Sequence, residues 1–214
     1  RVSEPTFGQA RIPIYTAMLS LPITNDMVED TGFDIMGWSA DKFRETIDLL
    51  YEDMIINGSG AGQPTGILNK TGLTTVVSGA AADITGDGIV NLAFNLPPQY
   101  DQGAAFVMNK TVTARQIFKL KDGEGRYLWA APAEGGGLMV PKLRSDLLGY
   151  DVLYTEFMPD SNVASNKPII FGDLTGYYLV QRVGFTISVL RELYAETNQV
   201  LILGRVRFGG DLVE

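Results

Sequence analysis

Residues 34–56 have the sequence "DIMGWSADKFRETIDLLYEDMII", which predicts one long helix. Apolar residues recur along it at helical spacing and form one continuous stripe: Met36, Ala40, Phe43, Ile47, Leu50 and Met54. Charged residues occupy the other side: Asp41, Lys42, Glu45, Asp48 and Glu52. At about 1.5 Å per residue this helix would be roughly 35 Å long. A helix of that length usually forms a spine along which the other elements pack.

The glycine-rich segment "NGSGAGQPTGILN" at 57–69 follows directly. We expect Gly58 to end the helix, because glycine accepts the left-handed backbone geometry found at many helix ends. A phosphate-binding loop would need a lysine after its last glycine, and Ile67 follows Gly66 here. The remaining glycines do not match the spacing of a dinucleotide-binding loop. The segment is therefore interpreted as a sharp structural corner.

Shorter elements are predicted before the long helix and at the C-terminal end. Residues 9–22 predict an extended arm, which its prolines restrict to the edge of a sheet. Residues 24–31 predict a short helix with Thr24 as its cap. In 185–189 and 200–208 apolar and polar residues alternate, which indicates strands. The residues expected on the apolar faces of these strands are Phe185, Ile187, Val189, Ile202, Gly204, Val206 and Phe208.

The middle of the chain predicts a mixture of short helices and strands without a βαβ rhythm. The predictions are short strands and turns at 70–88, helices at 88–96 and 110–122, strands at 104–109, 150–158 and 168–171, a turn at Gly172 and Asp173, and a loop at 134–137. Such a mixture favours the α+β class.

The composition excludes several kinds of chemistry. The 214 residues include no cysteine and no histidine, so disulfides, thiolate metal sites, histidine-ligated zinc and a Ser-His-Asp triad cannot be built within this chain. The formal net charge of −8 disfavours strong binding to nucleic acid or to an anionic membrane. No apolar run is long enough to span a bilayer.

Two acidic segments could carry chemistry, and each has a plainer structural interpretation. "DITGDG" at 83–88 resembles half of a calcium loop, but Phe94 stands where the ligating glutamate belongs. An Asp-Gly turn is the interpretation that remains. Asp122 and Glu124 could form the carboxylate pair of a hydrolase, although solvated loop charges are the better account, since any chain with 25 acids offers such pairs.

Two further clusters predict structure only. Arg191, Glu192 and Glu196 are expected in an ion-paired edge or an interface, and Tyr177 and Tyr178 are expected in the core with Phe185. The sequence therefore predicts no catalytic residue, no metal site and no cofactor.

Several segments, taken in order, resemble the major capsid protein of tailed bacteriophages, a shell-forming fold that also occurs in encapsulins. They are "ITNDMVEDT", "INGSGAGQPTGIL", "VMNKTVTARQIFKLKDGEGRYLW", "LLGYDVLYTEFMP", "IIFGDLTGYYLVQRVGFTISVLRE" and "RVRFGGDLV". The resemblance covers about residues 12–214 and depends on the order of these segments more than on any one of them.

The resemblance implies a domain organisation. Residues 1–18 would be the remnant of an extended loop, 19–85 and 177–214 would form a peripheral domain around the spine helix, and 86–176 would form an inserted axial domain. Some relatives crosslink a lysine to an asparagine between subunits. We expect no such crosslink here, because residues 1–18 contain no lysine.

The resemblance also implies a function. The chain would assemble with itself as hexamers and pentamers into an icosahedral shell of a phage or prophage, formed in the bacterial cytoplasm and present in the virion. Its partners would be further copies, a scaffold, a portal and a maturation protease, with DNA packaged only non-specifically and no membrane involved. An encapsulin-like compartment shell is the alternative, and a hydrolase with paired carboxylates is a weaker one.

Overall fold

The computed structural model describes residues 11–30, 32, 34–80, 83–125, 128, 146–161 and 163–213. Helices and strands are mixed, which confirms the α+β class. The chain divides into two compact units, one of Arg1–Lys70 with Tyr177–Glu214 and one of Thr71–Gly176. The predicted loop at 134–137 and residues 9 and 10 of the predicted arm lie outside the described residues.

The first unit is a three-stranded sheet with helices. Its elements are β1 (Tyr15–Thr24), α1 (Asn25–Asp30), α2 (Ile35–Asn57), β6 (Tyr177–Leu190) and β7 (Gln199–Leu212). All strand pairs are antiparallel in the order β1-β7-β6. The arm therefore forms an edge strand and the short helix follows it, as the sequence predicts.

Helix α2 confirms the predicted spine but buries a different stripe at its N-terminal half. Asp34 caps the helix, since its carboxylate accepts a hydrogen bond from the Gly37 N–H at 3.0 Å. Met36 is 39% exposed, so its predicted place in the stripe is wrong. The residues buried along α2 are Ile35, Ser39, Phe43, Ile47 and Ile56.

The sheet face beneath α2 agrees with the predicted alternation in 200–208. Ile202, Val206 and Phe208 are buried and pack with Phe43 and Ile47 of α2. Gly204 lies between them with no side chain, which leaves room for ring contacts. These are edge-to-face contacts, Phe43 with Phe185 at 6.3 Å and Tyr51 with Phe208 at 4.7 Å between ring centroids.

The second unit has a four-stranded sheet in the order β3-β4-β2-β5. Its elements are α3 (Gly86–Phe94), β2 (Ala104–Met108), α4 (Arg115–Phe118), β3 (Asp146–Leu147), β4 (Tyr150–Tyr154) and β5 (Ile169–Asp173). Strand β2 pairs with β4 in parallel and with β5 antiparallel, and all of its residues are buried. The buried core includes Ile84, Ile89, Phe106, Met108, Ala114, Ile117, Leu147 and Val152.

The predicted helix at 110–122 is shorter than expected. It begins as a π-helical turn at Lys110–Ala114, continues as α4 and ends at Phe118. Asn109 starts it by accepting hydrogen bonds from the backbone N–H groups of Thr111 and Val112. The last turn tightens because the Lys119 N–H donates to the carbonyl only three residues back.

The boundaries of three other predictions are also wrong. The strand predicted at 150–158 ends at Tyr154, because the Thr155 hydroxyl accepts from the Phe157 N–H and bends the chain. Gly172 and Asp173 belong to β5, and the turn follows at Leu174–Gly176. Among the described residues of 70–88 there are turns and the start of α3 but no strand.

Candidate functional site: the glycine corner and its anchor

The glycine corner, residues 57–69, is a folded turn at the end of α2. Ser59 and Thr65 form an isolated antiparallel bridge across it. Gly60 and Gly62 have φ of 75° and 74°, the left-handed region that favours glycine. Pro64, two residues after Gly62, is fully buried. The interpretation as a sharp corner at the end of the spine is confirmed by this geometry.

Gly58 ends the helix for a different reason from the one expected. Its φ is −50°, so the expected left-handed conformation is wrong. A Cβ at this position would lie 2.3 Å from the Pro64 carbonyl oxygen and 2.5 Å from that of Met54. Gly66 is equally confined, since a Cβ there would lie 2.4 Å from the Gly58 nitrogen. Both glycines are required because two backbone segments approach too closely for a side chain.

Three glycine N–H groups of the corner donate hydrogen bonds within the protein. The N–H groups of Gly58, Gly60 and Gly66 donate to the carbonyls of Met54, Pro64 and Gly58 at 3.1, 3.1 and 2.8 Å. The Asn69 side chain donates in turn to the Asn57 carbonyl at 2.8 Å, which satisfies one of the free acceptors at the end of α2. A phosphate would have to compete with these bonds for its ligands.

Long-range contacts anchor the corner and the adjoining Lys70 to strands β6 and β7. The Thr65 N–H donates to the Gly210 carbonyl at 3.1 Å. Lys70 Nζ forms an ion pair with Asp211 Oδ1 at 2.7 Å, and the Tyr177 hydroxyl donates to the Thr65 carbonyl at 3.1 Å. Burial, with Asp211 nearby, raises the pKa of Tyr177 to about 12. This anchor holds both chain segments that pass between the two units, at residues 70 and 177.

The anchor has no signal in the sequence. Lys70 and Asp211 are separated by 141 positions, and no local pattern links them. Tyr177 is predicted in the core, whereas in the structure it is half-buried. Tyr178 is 51% exposed, so its predicted place in the core is wrong.

The segment 83–88 begins a helix. The Thr85 hydroxyl caps α3 by accepting from the Gly88 N–H at 3.1 Å, and it donates to the Ser78 carbonyl. Asp87 and Gly88 lie in the first turn of this helix, so the predicted Asp-Gly turn is wrong. A Cβ on Gly88 would lie 2.7 Å from the Ser78 carbonyl oxygen, which explains the glycine.

The two residues of the hypothetical carboxylate pair lie in a turn. Asp122 accepts a hydrogen bond from the Glu124 N–H at 3.0 Å, and the Glu124 side chain is exposed. Such a bond stabilises a local turn. In the part of the chain that the structure describes, no three acidic residues come close enough to hold a metal ion.

The hairpin end between β6 and β7 is exposed. Arg191, Glu192 and Glu196 are all exposed, and within the described ranges none of them forms an ion pair with another residue of the chain. The prediction of an ion-paired edge is therefore wrong for the single chain. A shallow depression of about 660 Å³ lies beside them, lined by Val189, Leu190 and Leu193 among others.

Comparison with known proteins gives the decisive observation. The sequence profile of the phage capsid family matches residues 2–214. The chain belongs to the phage capsid family. Comparison with curated protein sequences gave no match.

Solved structures agree with the family. The capsid of an empty GTA particle, computed with C5 symmetry, is similar with 30% identity and a TM-score of 0.81, over 95% of this chain and 71% of that one. A chain of Gordonia phage Cozz is 12% identical with a TM-score of 0.64, over 100% of this chain and 75% of that one. The holo-SrpI encapsulin from Synechococcus elongatus PCC 7942 is 11% identical with a TM-score of 0.61, over 94% of this chain and 70% of that one.

These comparisons confirm the resemblance and the fold. The chain is a capsid shell protein with the fold of phage major capsid proteins. The similarity to the encapsulin, at 11% identity, shows a shared fold alone. No helix among the described residues combines the length and the apolar character that crossing a membrane requires.

Proposed function

We propose that this capsid-family chain assembles with itself as hexamers and pentamers into an icosahedral phage or prophage shell that encloses DNA. The observation that carries the proposal is the family match over residues 2–214, with 30% identity to the capsid of a GTA particle. In such a shell many modest contacts are repeated by symmetry, so no single contact has to be strong. The protein would act by assembly, not by catalysis.

The local structure supports a mechanical role. The long helix α2 packs along the sheet of its unit, and the anchor at Lys70, Tyr177 and Asp211 fixes the chain where it leaves and re-enters that unit. We propose that 19–85 with 177–214 forms a peripheral domain, that 86–176 forms an axial domain, and that 1–18 belongs to an extended loop. Assembly would take place in the bacterial cytoplasm with a scaffold, a portal and a maturation protease as partners.

Electrostatics supports DNA as the content and not as a tightly bound ligand. The chain carries 25 acidic and 17 basic residues, so a shell of many copies would repel the phosphate backbone overall. Packaged DNA would then be confined by the wall without adhering to it.

Expression of the chain in bacteria tests the proposal. Light scattering and negative-stain electron microscopy of the purified protein should show capsomers or closed shells. A protein that stays strictly monomeric at high concentration would contradict the proposed assembly. Nuclease-protected DNA inside particles would favour the phage shell, whereas a co-purifying enzyme inside them would favour the encapsulin-like alternative.

A calorimetric titration tests whether the glycine corner binds nucleotide. The N–H groups of Gly58, Gly60 and Gly66 already donate within the protein, so ATP should give no heat of binding. The matched control is a chain with Gly66→Ala, in which the corner is distorted. A saturable signal from the unmodified chain that is lost in this variant would contradict the structural role of the corner.

A further inference from the structure

The sheet of the first unit has two faces, and α2 covers one of them. Tyr15, Ala17 and the other odd-numbered residues of β1 face the helix, so the even-numbered residues face the other way. The pairing places Met18 opposite Arg205 and Thr16 opposite Arg207. Directly paired residues of antiparallel strands share a face. We call the face formed by Thr16, Met18, Thr186, Arg205 and Arg207 the arginine face.

The arginine face carries two charges that have no ion-pair partner among the described residues. Met18 is 62% exposed and Arg205 is also exposed. The Nε atom of Arg207 is buried and has no acceptor in the part of the chain that the structure describes. In the same part of the chain neither guanidinium takes part in an ion pair.

The three strands supply no acid to balance these arginines. The sequences of β1 and β6 contain no acidic residue, and the one acid of β7, Asp211, is paired with Lys70. Elsewhere the chain has acids in excess, as shown by its net charge of −8. The sheet is therefore a basic region within an acidic protein.

A buried and unpaired guanidinium N–H is unfavourable, because its hydration is lost without a compensating hydrogen bond. A carboxylate or phosphate bound to the accessible nitrogens of the same guanidinium would offset that cost. Carboxylate matches the planar fork of arginine with two parallel hydrogen bonds. Because Arg205 is exposed and Arg207 is only half-buried, an oxygen anion from outside the described chain is the natural partner of both guanidiniums.

The number of arginines on this face favours carboxylate over the phosphate of DNA as the partner. Each phosphate that a protein neutralises adds to its affinity for duplex DNA, and even a protein that makes about 6–10 such contacts loses much of that affinity near physiological salt. The arginine face offers Arg205 and Arg207 within a chain that repels DNA overall. Two arginines suffice for one or two carboxylates, and every further copy of this chain has an excess of those.

We propose that the arginine face is a contact surface for a second copy of this chain, and that Arg205 and Arg207 bind carboxylates of that copy. This inference rests on the proposed self-assembly and names one surface that it uses. Met18 and Thr16 lie beside the arginines and would be covered by the same contact.

Crosslinking with isotope-labelled copies tests the contact directly. The variant R205K/R207K keeps both charges and provides amines, which a carbodiimide joins to carboxylates that touch them. Particles are assembled from equal amounts of ¹⁵N-labelled and unlabelled variant chains and crosslinked, and their peptides are identified by mass spectrometry. Peptides that join residue 205 or 207 to an acid with mixed labelling are expected. Assembled particles in which such peptides are absent, or carry only one label, would overturn the proposal.

A charge-removal variant provides an independent test. R205Q/R207Q should lower the yield of assembled particles roughly tenfold or more at equal concentration, because carboxylates of the second copy lose their partners. K42Q/R44Q is the matched control, since it removes the same charge from exposed residues that are paired within α2. Equal yields from both variants would overturn the proposal.

The outcomes separate this inference from the proposed function. If the unmodified chain forms no capsomers or shells, the proposed function fails and the inference fails with it. If the unmodified chain and R205Q/R207Q assemble equally well, only the inference fails. If R205Q/R207Q assembles normally but retains less DNA, the arginine face binds phosphate and the proposal of a copy-to-copy contact is overturned.

Discussion

Close backbone contacts allow only glycine at position 66. Its missing side chain would lie 2.4 Å from the Gly58 nitrogen and 2.6 Å from the Ile56 carbonyl oxygen. Neither neighbour is a flexible side chain that could move aside. Close approach between the end of α2 and the corner is therefore possible only with glycine at this position.

Gly66→Ala should lower the free energy of unfolding by about 1–3 kcal/mol or more, because the backbone must shift to admit the methyl group. Urea denaturation measures the change. Gly184→Ala is the matched control, since a Cβ at Gly184 would have no atom within 4 Å. A loss for Gly66→Ala no larger than that of the control would contradict the close approach.

Two buried hydroxyl groups of the chain differ in their partners. The Ser39 hydroxyl donates to the Ile35 carbonyl at 2.6 Å, whereas the Thr113 hydroxyl is buried without a hydrogen-bond partner among the described residues. Removing an unsatisfied buried polar group recovers its desolvation cost, which is about 1–3 kcal/mol. The two residues should therefore respond with opposite signs to substitution by an apolar group of the same shape.

Thr113→Val should leave the free energy of unfolding unchanged or raise it, because only an unpaired hydroxyl is replaced. Ser39→Ala should lower it by about 1 kcal/mol, because a made hydrogen bond is lost. Thermal or urea denaturation of both variants measures the difference. A loss of more than about 1 kcal/mol on Thr113→Val would indicate that this hydroxyl has a partner.

At the scale of elements, α2 and the sheet stabilise each other through one stripe of the helix. Phe43 is 7% exposed and makes an edge-to-face contact with Phe185, whereas Met36 on the same helix is 39% exposed. Both residues belong to the predicted apolar stripe. Their burial differs because the sheet lies beneath Phe43 and the stripe that starts at Ile35, not at Met36.

Phe43→Ala should lower the free energy of unfolding by about 3–5 kcal/mol, the usual cost of removing a buried aromatic ring. Met36→Ala should change it by less than about 0.5 kcal/mol, because an exposed side chain makes few contacts. Urea denaturation followed by circular dichroism measures both. Similar losses for the two variants would contradict the packing of α2 on β7 and β6.

At the scale of the whole molecule, buried tyrosines make stability depend on pH in the alkaline range. Burial raises the pKa of Tyr177 to about 12, with a contribution from Asp211, and burial raises that of Tyr154 to about 12, with a contribution from Asp146. Unfolded tyrosines ionise near pH 10. The unfolded chain therefore releases these protons first as the pH rises.

The stabilising effect of these raised pKa values is complete below about pH 10 and is lost as the pH rises towards 12. The urea midpoint should fall over this window. It should fall less for Tyr177→Phe, which has no hydroxyl to ionise, whereas Tyr178→Phe, at an exposed position, should follow the unmodified chain. An identical pH profile for Tyr177→Phe and the unmodified chain would contradict the buried role of Tyr177.

Local patterns in the sequence predicted the elements that depend on neighbouring residues alone. The spine at 34–56, the strand at 104–109 and the alternation in 200–208 are confirmed, because each follows from a repeat of apolar residues within a few positions. The order of the quoted segments also indicated the family that the comparison shows. The ends of the elements were less accurate, since Asn109 and Thr155 set them through side-chain hydrogen bonds.

Only the tertiary structure decided which surfaces meet. The sequence spacing allowed a stripe through Met36, but the sheet selected one through Ile35 and Phe43. The anchor between Lys70 and Asp211 joins residues 141 positions apart, and strand register places Arg207 on the sheet without a partner among the described residues. Periodicity determines which side chains share a face of one element. The partner of that face is determined by the packing of the whole chain, because the free energy of burial depends on both surfaces.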